Sequence, residues 1–355
     1  MKLKNILSII CCLVAMASCS MEDDTMMNDT SKELLNRNSD REAVLSINLS
    51  SSALLTKATE PANGDKETKL ENCVLALMEG NDVLAVRTSN DITDGKVNDV
   101  TFLTKVRSGL SVIAIVNVAN PADYLSATTR TALNKVVTVD PNSAASLVKQ
   151  GEEAVNFPVG FGSASTAPTA ENTMPVVIKV AQVAAKIQLS EFNVTYATDT
   201  MQKEKSVTLT SVSFENINKK SNVFTEATLD KDNTQGATMT KALAAGTNEI
   251  GTTVYSYANT NAASPVKMTL TFRIDDEGSM QGETVTKTYM INKSNGSTSF
   301  EGSVSDNYVN AGYLYRIKVN MTVNTHAVDT DVVCYTQDWE HNEVSVDMSE
   351  VRVNN

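Results

Sequence analysis

From Ala43 onward hydrophobic and polar residues alternate: Leu45, Ile47 and Leu49 share one parity, Ser46, Asn48 and Ser50 the other, and the apolar parity resumes at Ala53 and Leu55. Successive strand side chains point to opposite faces, so this period predicts a strand over 43–55 with one buried face. The next ten residues, Thr56-Lys57-Ala58-Thr59-Glu60-Pro61-Ala62-Asn63-Gly64-Asp65, are polar and carry two chain-breakers, which predicts an exposed linker. A hairpin follows, with 73–78 and 83–86 flanking Glu79-Gly80-Asn81-Asp82, whose Gly and Asn tolerate positive φ. Residues 110–118 are apolar on both parities, the signature of a strand covered on both faces. Between Pro121 and Gln150 the spacing predicts short helices near 124–133 and 144–149, capped by Asp123 and Asn142. Gly, Ser, Ala, Thr and Pro dominate 160–175, which reads as a boundary between two domains. Beyond it, 176–189 reads as one long strand, continued at 192–196. Further strands are expected at 207–214, 253–257, 266–274, 284–291, 313–323 and 332–339, separated by polar turns as in an antiparallel sandwich. No internal repeat is evident. The expectation is therefore an all-β chain with minor short helices: two β-sandwich-like antiparallel domains in tandem, 58–172 and 173–343.

Composition narrows the chemistry. Of five cysteines, Cys11, Cys12 and Cys19 lie at the start, leaving Cys73 and Cys334 for the folded body, so there is no disulfide framework. One bridge between those two would need them side by side; two free buried thiols are the expectation. The net charge of -12 is spread without a basic cluster, which argues against nucleic acid as a partner. His326 and His341 are the only imidazoles, too few for zinc or acid–base chemistry without much help. Asp230-Lys231-Asp232-Asn233-Thr234-Gln235-Gly236 has alternate oxygens like a calcium loop, but its glycine is one place late and no closing glutamate follows. It reads as a polar turn, as does Asp275-Asp276-Glu277-Gly278 after Ile274. Neither Cys334, inside an apparent strand, nor His341, beside Trp339, has the local setting of a catalytic pair. No enzyme activity, cofactor or metal is expected.

The N-terminus reads as an address. Lys2 and Lys4 precede the apolar run 6–15, about half the length needed to cross a bilayer and suited to a signal-peptide core, giving a signal peptide over 1–18. It ends in Met16-Ala17-Ser18-Cys19, which resembles the lipobox whose cysteine is acylated and becomes the new N-terminus, making Cys19 the lipidation candidate. The acidic run Glu22-Asp23-Asp24 and the polar stretch to Asp40 suit a flexible tether, and two acyl chains would hold it to a membrane.

Taken in order, several pieces resemble the fimbrillin superfamily of Bacteroidia, major subunits of type V pili: Met16-Ala17-Ser18-Cys19; the strand 43–55 followed by Lys57-Ala58; Ile115-Val116-Asn117-Val118-Ala119; Val183-Ala184-Ala185-Lys186-Ile187; Tyr313-Leu314-Tyr315-Arg316-Ile317; and Asp338-Trp339. The resemblance implies an outer-membrane lipoprotein precursor of two sandwich-like domains. A trypsin-like protease then cuts after the first strand, and copies of the chain, or related fimbrial subunits, join by strand exchange. If the cut falls between Lys57 and Ala58, it removes the propeptide 19–57 with Leu45, Ile47 and Leu49; Arg37 and Arg41 are equally cleavable but lie before the strand, so a cut there would free the anchor without opening the sheet. The sheet left behind has unpaired backbone groups and an apolar groove.

The C-terminus offers a filler in 344–355. Val344, Val346 and Met348 alternate, and Val351 and Val353 continue with shifted parity, implying a bulge or two separate pairing segments. Burying five such side chains would contribute roughly 10 kcal/mol gross, at about 1.5–3 kcal/mol each. The same residues could instead be the last strand of their own domain. The competing functional readings are a monomeric surface lipoprotein that binds a ligand or glycan and keeps its first strand, and a tip or anchor subunit of a fimbria.

Overall fold

The computed structural model describes residues 40–51, 67–145, 147–224, 235–261, 263–276, 282–291, 298–301, 309–324 and 328–338. Strands dominate. The first nine are β1 (Glu42–Ser51), β2 (Cys73–Glu79), β3 (Asp82–Ser89), β4 (Ile92–Thr93), β5 (Lys96–Lys105), β6 (Leu110–Val116), β7 (Val136–Thr138), β8 (Lys149–Val155) and β9 (Thr173–Gln182). The rest are β10 (Ala184–Tyr196), β11 (Lys205–Glu215), β12 (Lys220–Asn222), β13 (Gln235–Leu243), β14 (Gly246–Tyr257), β15 (Lys267–Asp276), β16 (Glu283–Met290), β17 (Thr298–Glu301), β18 (Tyr313–Val323) and β19 (Val328–Asp338).

They build two sandwiches. In the first, β9-β1-β5-β4 faces β3-β2-β6-β8, the two layers meeting where β8 and β9 share two residue pairs. In the second, β14-β10-β18-β19-β17 faces β13-β11-β15-β16. Most pairings are antiparallel; β1 with β9, β10 with β18, and β17 with β19 run parallel. Each sandwich encloses its own core, Leu75, Leu77, Val112 and Ala114 in the first, Leu209, Phe214, Leu270 and Phe272 in the second. A third cluster lies between them: Val74, Ala76 and Ile113 on the outer face of β2 and β6 meet Tyr255, Tyr257 and Leu314 of the second sandwich. That explains why 73–78 and 110–116 are apolar on both parities.

The sandwiches share one topology. In each, the first strand (β1 or β10) runs parallel to one neighbour (β9 or β18) and antiparallel to the other (β5 or β14). The facing layers correspond strand for strand, β3-β2-β6-β8 with β13-β11-β15-β16. The sequence shows no repeat because a sandwich constrains which face is apolar, not which apolar residue stands there.

Local expectations fare unevenly. The hairpin turn narrows to Gly80-Asn81, with Gly80 at φ +60. The strand expected to reach Val118 stops at Val116 because Asn117 turns to φ +60 and spends its amide on the main chain of Glu71, Lys69 and Leu147. In the helical region there is a turn of 3-10 helix at Pro121–Tyr124 and a short helix, α1, at Arg130–Leu133, capped by Thr129 rather than Asp123. Among the described residues of 144–149 there is no helix: Lys149 is drawn into β8 opposite Val116, a tertiary pairing that overrides the local spacing. The run 176–189 is not one strand. It changes partners at Val183, so the chain passes between sandwiches there rather than within 160–175.

Candidate functional site

The first strand of the chain is an interior strand of its layer. β1 pairs in parallel with β9 from Val44↔Thr173 to Ser51↔Val180, and antiparallel with β5 from Glu42↔Lys105 to Asn48↔Lys96. Strands in a sheet lie about 4.8 Å apart, so withdrawing β1 would leave β9 and β5 separated by roughly twice that, the width of one strand. Alternation orients it: Leu45 and Ile47 are fully buried and Leu49 nearly so, in one cluster with Val176, Ile178 and Val180 of β9, Val97, Val100 and Phe102 of β5, and the inner face of the opposite layer. Burying these three side chains contributes about 5–9 kcal/mol gross.

Both ends of β1 are pinned. Near its start, Glu42 exchanges backbone hydrogen bonds with Ser163, its N–H donating at 2.7 Å and its carbonyl accepting at 3.1 Å, and the Val44 N–H donates to the Asn172 carbonyl at 2.7 Å. Asn172 is fully buried; its amide donates to the carbonyls of Ser165 and Ala167, both at 2.9 Å, and its Oδ1 accepts from Thr169 N–H at 2.7 Å. The Gly/Ser-rich stretch read as a domain boundary is thus a latch over the start of β1. Sequence reasoning missed Asn172, because an Asn among small polar residues is indistinguishable from any other turn former. At the far end the Leu49 N–H donates to the Gly95 carbonyl at 2.6 Å. Gly95 has φ +80 beside Asp94 at φ +50, and a Cβ there would strike the Leu49 backbone, so only glycine lets the β4–β5 turn close against the strand.

At Glu67 the chain is held in the body. Its carboxylate, almost fully buried, receives Lys186 Nζ at 2.9 Å and Tyr255 OH at 2.6 Å, while Gln182 Nε2 donates to its carbonyl at 2.9 Å. Lys149 Nζ and Asn117 Nδ2 both donate to the Lys69 carbonyl, at 3.1 and 2.8 Å. A chain cut anywhere in 52–66 therefore leaves β1 held by non-covalent contacts alone, while the body keeps its new end anchored to β9, β10 and β14.

Of the sequence-predicted residues, Leu45, Ile47 and Leu49 come together as one apolar row. Cys19, Lys57, Ala58, Val344, Val346, Met348, Val351 and Val353 lie outside the described residues, as do Ala53, Leu55, His326, Trp339 and His341. Cys73 is a free, buried thiol. Asp275 and Asp276 belong to the end of β15, held by Arg273 at 2.8 Å and Lys205 at 2.7 Å. Among the described residues no group of three His, Cys, Asp or Glu could hold a metal ion, and no helix is long and apolar enough to cross a membrane. A cavity of about 450 Å³ lies apart from the slot, bordered by Asn117, Tyr124, Lys135 and Asp140. Tyr124 is buried there and Lys135 Nζ sits 5.6 Å from its ring centroid.

No protein-family model matches the chain, and no curated protein matches it in sequence. Solved structures do match its fold. The chain is similar to a fimbrilin of Porphyromonas gingivalis, with 16% identity, a TM-score of 0.58, and coverage of 84% of this chain and 98% of the other. Two proteins of Parabacteroides distasonis described under cell adhesion are also similar. One has 16% identity, TM-score 0.55 and coverage of 83% and 97%; the other has 12%, 0.53 and coverage of 84% and 99%. The all-β double sandwich is thus the fold of fimbrilins and cell-adhesion proteins of Bacteroidia.

Proposed function

We propose that the chain is a structural subunit of a cell-surface fimbria, exported as a lipoprotein through Cys19, cut between Lys57 and Ala58 by a trypsin-like protease, and polymerised when the tail of another subunit fills the slot β1 leaves. The observation that carries this reading is the placement of β1. The first strand of the chain is interior to its layer, and its removal opens an apolar slot one strand wide between two intact walls. An unpaired edge with buried pockets is a template for another chain. Fimbrilin and cell-adhesion neighbours support a role at the cell surface in association with fimbrial subunits. The latch at Asn172 and the bracket at Gly95 keep the slot filled in the precursor, which restrains polymerisation before export.

The test is Lys57→Ala. The expected product is full-length, surface-anchored and monomeric on an unheated gel, whereas the unsubstituted chain gives a ladder of SDS-resistant multimers. Normal ladders from the substituted chain would refute the scheme.

A further inference from the structure

Within each subunit β10 already does for the second sandwich what a donor strand must do for the first, so its sequence shows how such a slot is filled. The inward residues of β10 are Ala185, Ile187, Leu189, Phe192 and Val194, all essentially fully buried. Their spacing of two, two, three and two reflects a bulge between Leu189 and Glu191 in the pairings with both β14 and β18. The bulge residues have partners: Ser190 Oγ donates to the Ile317 carbonyl at 2.9 Å, and Glu191 pairs with Lys318 at 2.8 Å.

The C-terminal apolar positions Val344, Val346, Met348, Val351 and Val353 have the same spacing. Met348-Ser349-Glu350-Val351 stands where β10 has Leu189-Ser190-Glu191-Phe192, with Ser and Glu identical at the bulge. The receiving wall matches as well. β18 carries Ile317-Lys318-Val319 beside the bulge of β10, and β9, the corresponding wall of the first sandwich, carries Ile178-Lys179-Val180. Lys179 is exposed, stands opposite Ser50 of β1, and has no ion pair among the described residues.

We infer that the tail enters a neighbour's first sandwich as one continuous strand with a bulge at Ser349-Glu350, in the register of β10, with Glu350 pairing the neighbour's Lys179. This rests on the strand-exchange reading above and fixes its register. Val344, Val346 and Met348 take the places of Leu45, Ile47 and Leu49. Ser349 bonds the Ile178 carbonyl, and Val351 reaches the position opposite Val180 that Ser51 holds in β1. Val353 is the next inward residue. On the other side β5 pairing ends at Asn48↔Lys96 and the last bond runs from the Leu49 N–H to the Gly95 carbonyl, so the bulge falls beyond both. The tail thus offers an apolar residue and an ion pair where β1 has Ser51 and Ser50, which favours exchange over return of β1.

The experiment follows SDS-resistant assembly of purified precursor after trypsin treatment. Aspartate substituted singly along 344–353 should abolish assembly at 344, 346, 348, 351 and 353 and be tolerated at 345 and 352, outward positions like that of the native Asp347. Lys179→Glu and Glu350→Lys should each slow assembly about two- to five-fold, as suits an exposed ion pair. Slots carrying Lys179→Glu should recover the unsubstituted rate with tails carrying Glu350→Lys. Loss at 350 and 352 in place of 351 and 353, loss confined to 344–348, or absence of recovery in the charge exchange would overturn the register while leaving strand exchange intact. Unimpaired assembly after removal of 344–355 would overturn both.

Discussion

Ile47 is where the proposed precursor and polymer would differ at the level of one side chain. It is fully buried between the walls of β9 and β5, so Ile47→Ala should lower precursor stability by about 2–5 kcal/mol in urea unfolding, the usual cost of a large-to-small change in a packed core. If the proposed cut removes Ile47 with the propeptide, the same substitution should leave the processed polymer unaffected. Cys73 reports on the integrity of the same core. Burial pushes its thiol from 9.0 up to about 12, with Asp99 adding and a backbone hydrogen bond at Ser89 opposing. The thiolate is the reactive form, so at pH 8 Cys73 should resist alkylation in the folded protein and react on unfolding, as peptide mass spectrometry can check. Between its ordinary value and about 12 the unfolded chain loses this proton and the folded chain keeps it. The contribution of Cys73 to stability is therefore complete below that window and declines as pH rises through it.

At the scale of elements, the segment entering at Glu67 sets how much a cut can loosen. Glu67, Lys186 and Tyr255 form a buried group joining this segment to β10 and β14. Lys186→Met should destabilise the protein by about 3–5 kcal/mol by leaving a carboxylate buried without its cation, and adding Glu67→Gln should recover part of that loss in urea midpoints. Neither residue stands out in the sequence: Glu67 lies in a polar stretch and Lys186 interrupts an apolar run, and only the fold brings them within 3 Å. The same limit governs the strands. β1, β11 and β18 were legible because one face is apolar over many residues, and β2 because both are. β5 carries Asn98 and Asp99 within a bulge and β8 is rich in charge, so their pairing is decided by neighbours distant in sequence. The passage from β9 to β10 is hidden for the opposite reason. Val183 sits in a run from Val176 to Leu189 that holds no Gly, Pro, Asn, Asp or Ser to mark a break, and what changes there is the partner.

As a whole molecule the chain is one topology used twice, and the two uses differ in how the first strand is attached. β10 is joined to β9 through Val183 and is held covalently at both ends. β1 is joined to the body only through 52–66, so a single cut converts it from a permanent strand to a removable one. Under the proposed scheme a fibre would extend the relation already present inside the chain: the segment following one sandwich would complete the next, by a peptide link within a copy and by a docked tail between copies. The Leu45, Ile47 and Leu49 row was readable from the sequence as a strand with one buried face; that it lies between two walls was not, because parallel pairing with residues about 130 positions away leaves no local mark. Intact-mass and N-terminal analysis of SDS-resistant multimers taken from the cell surface tests the central claim most directly. The account predicts subunits that begin at Ala58 and contain no peptide from 42–51; multimers whose subunits retain that peptide would contradict it.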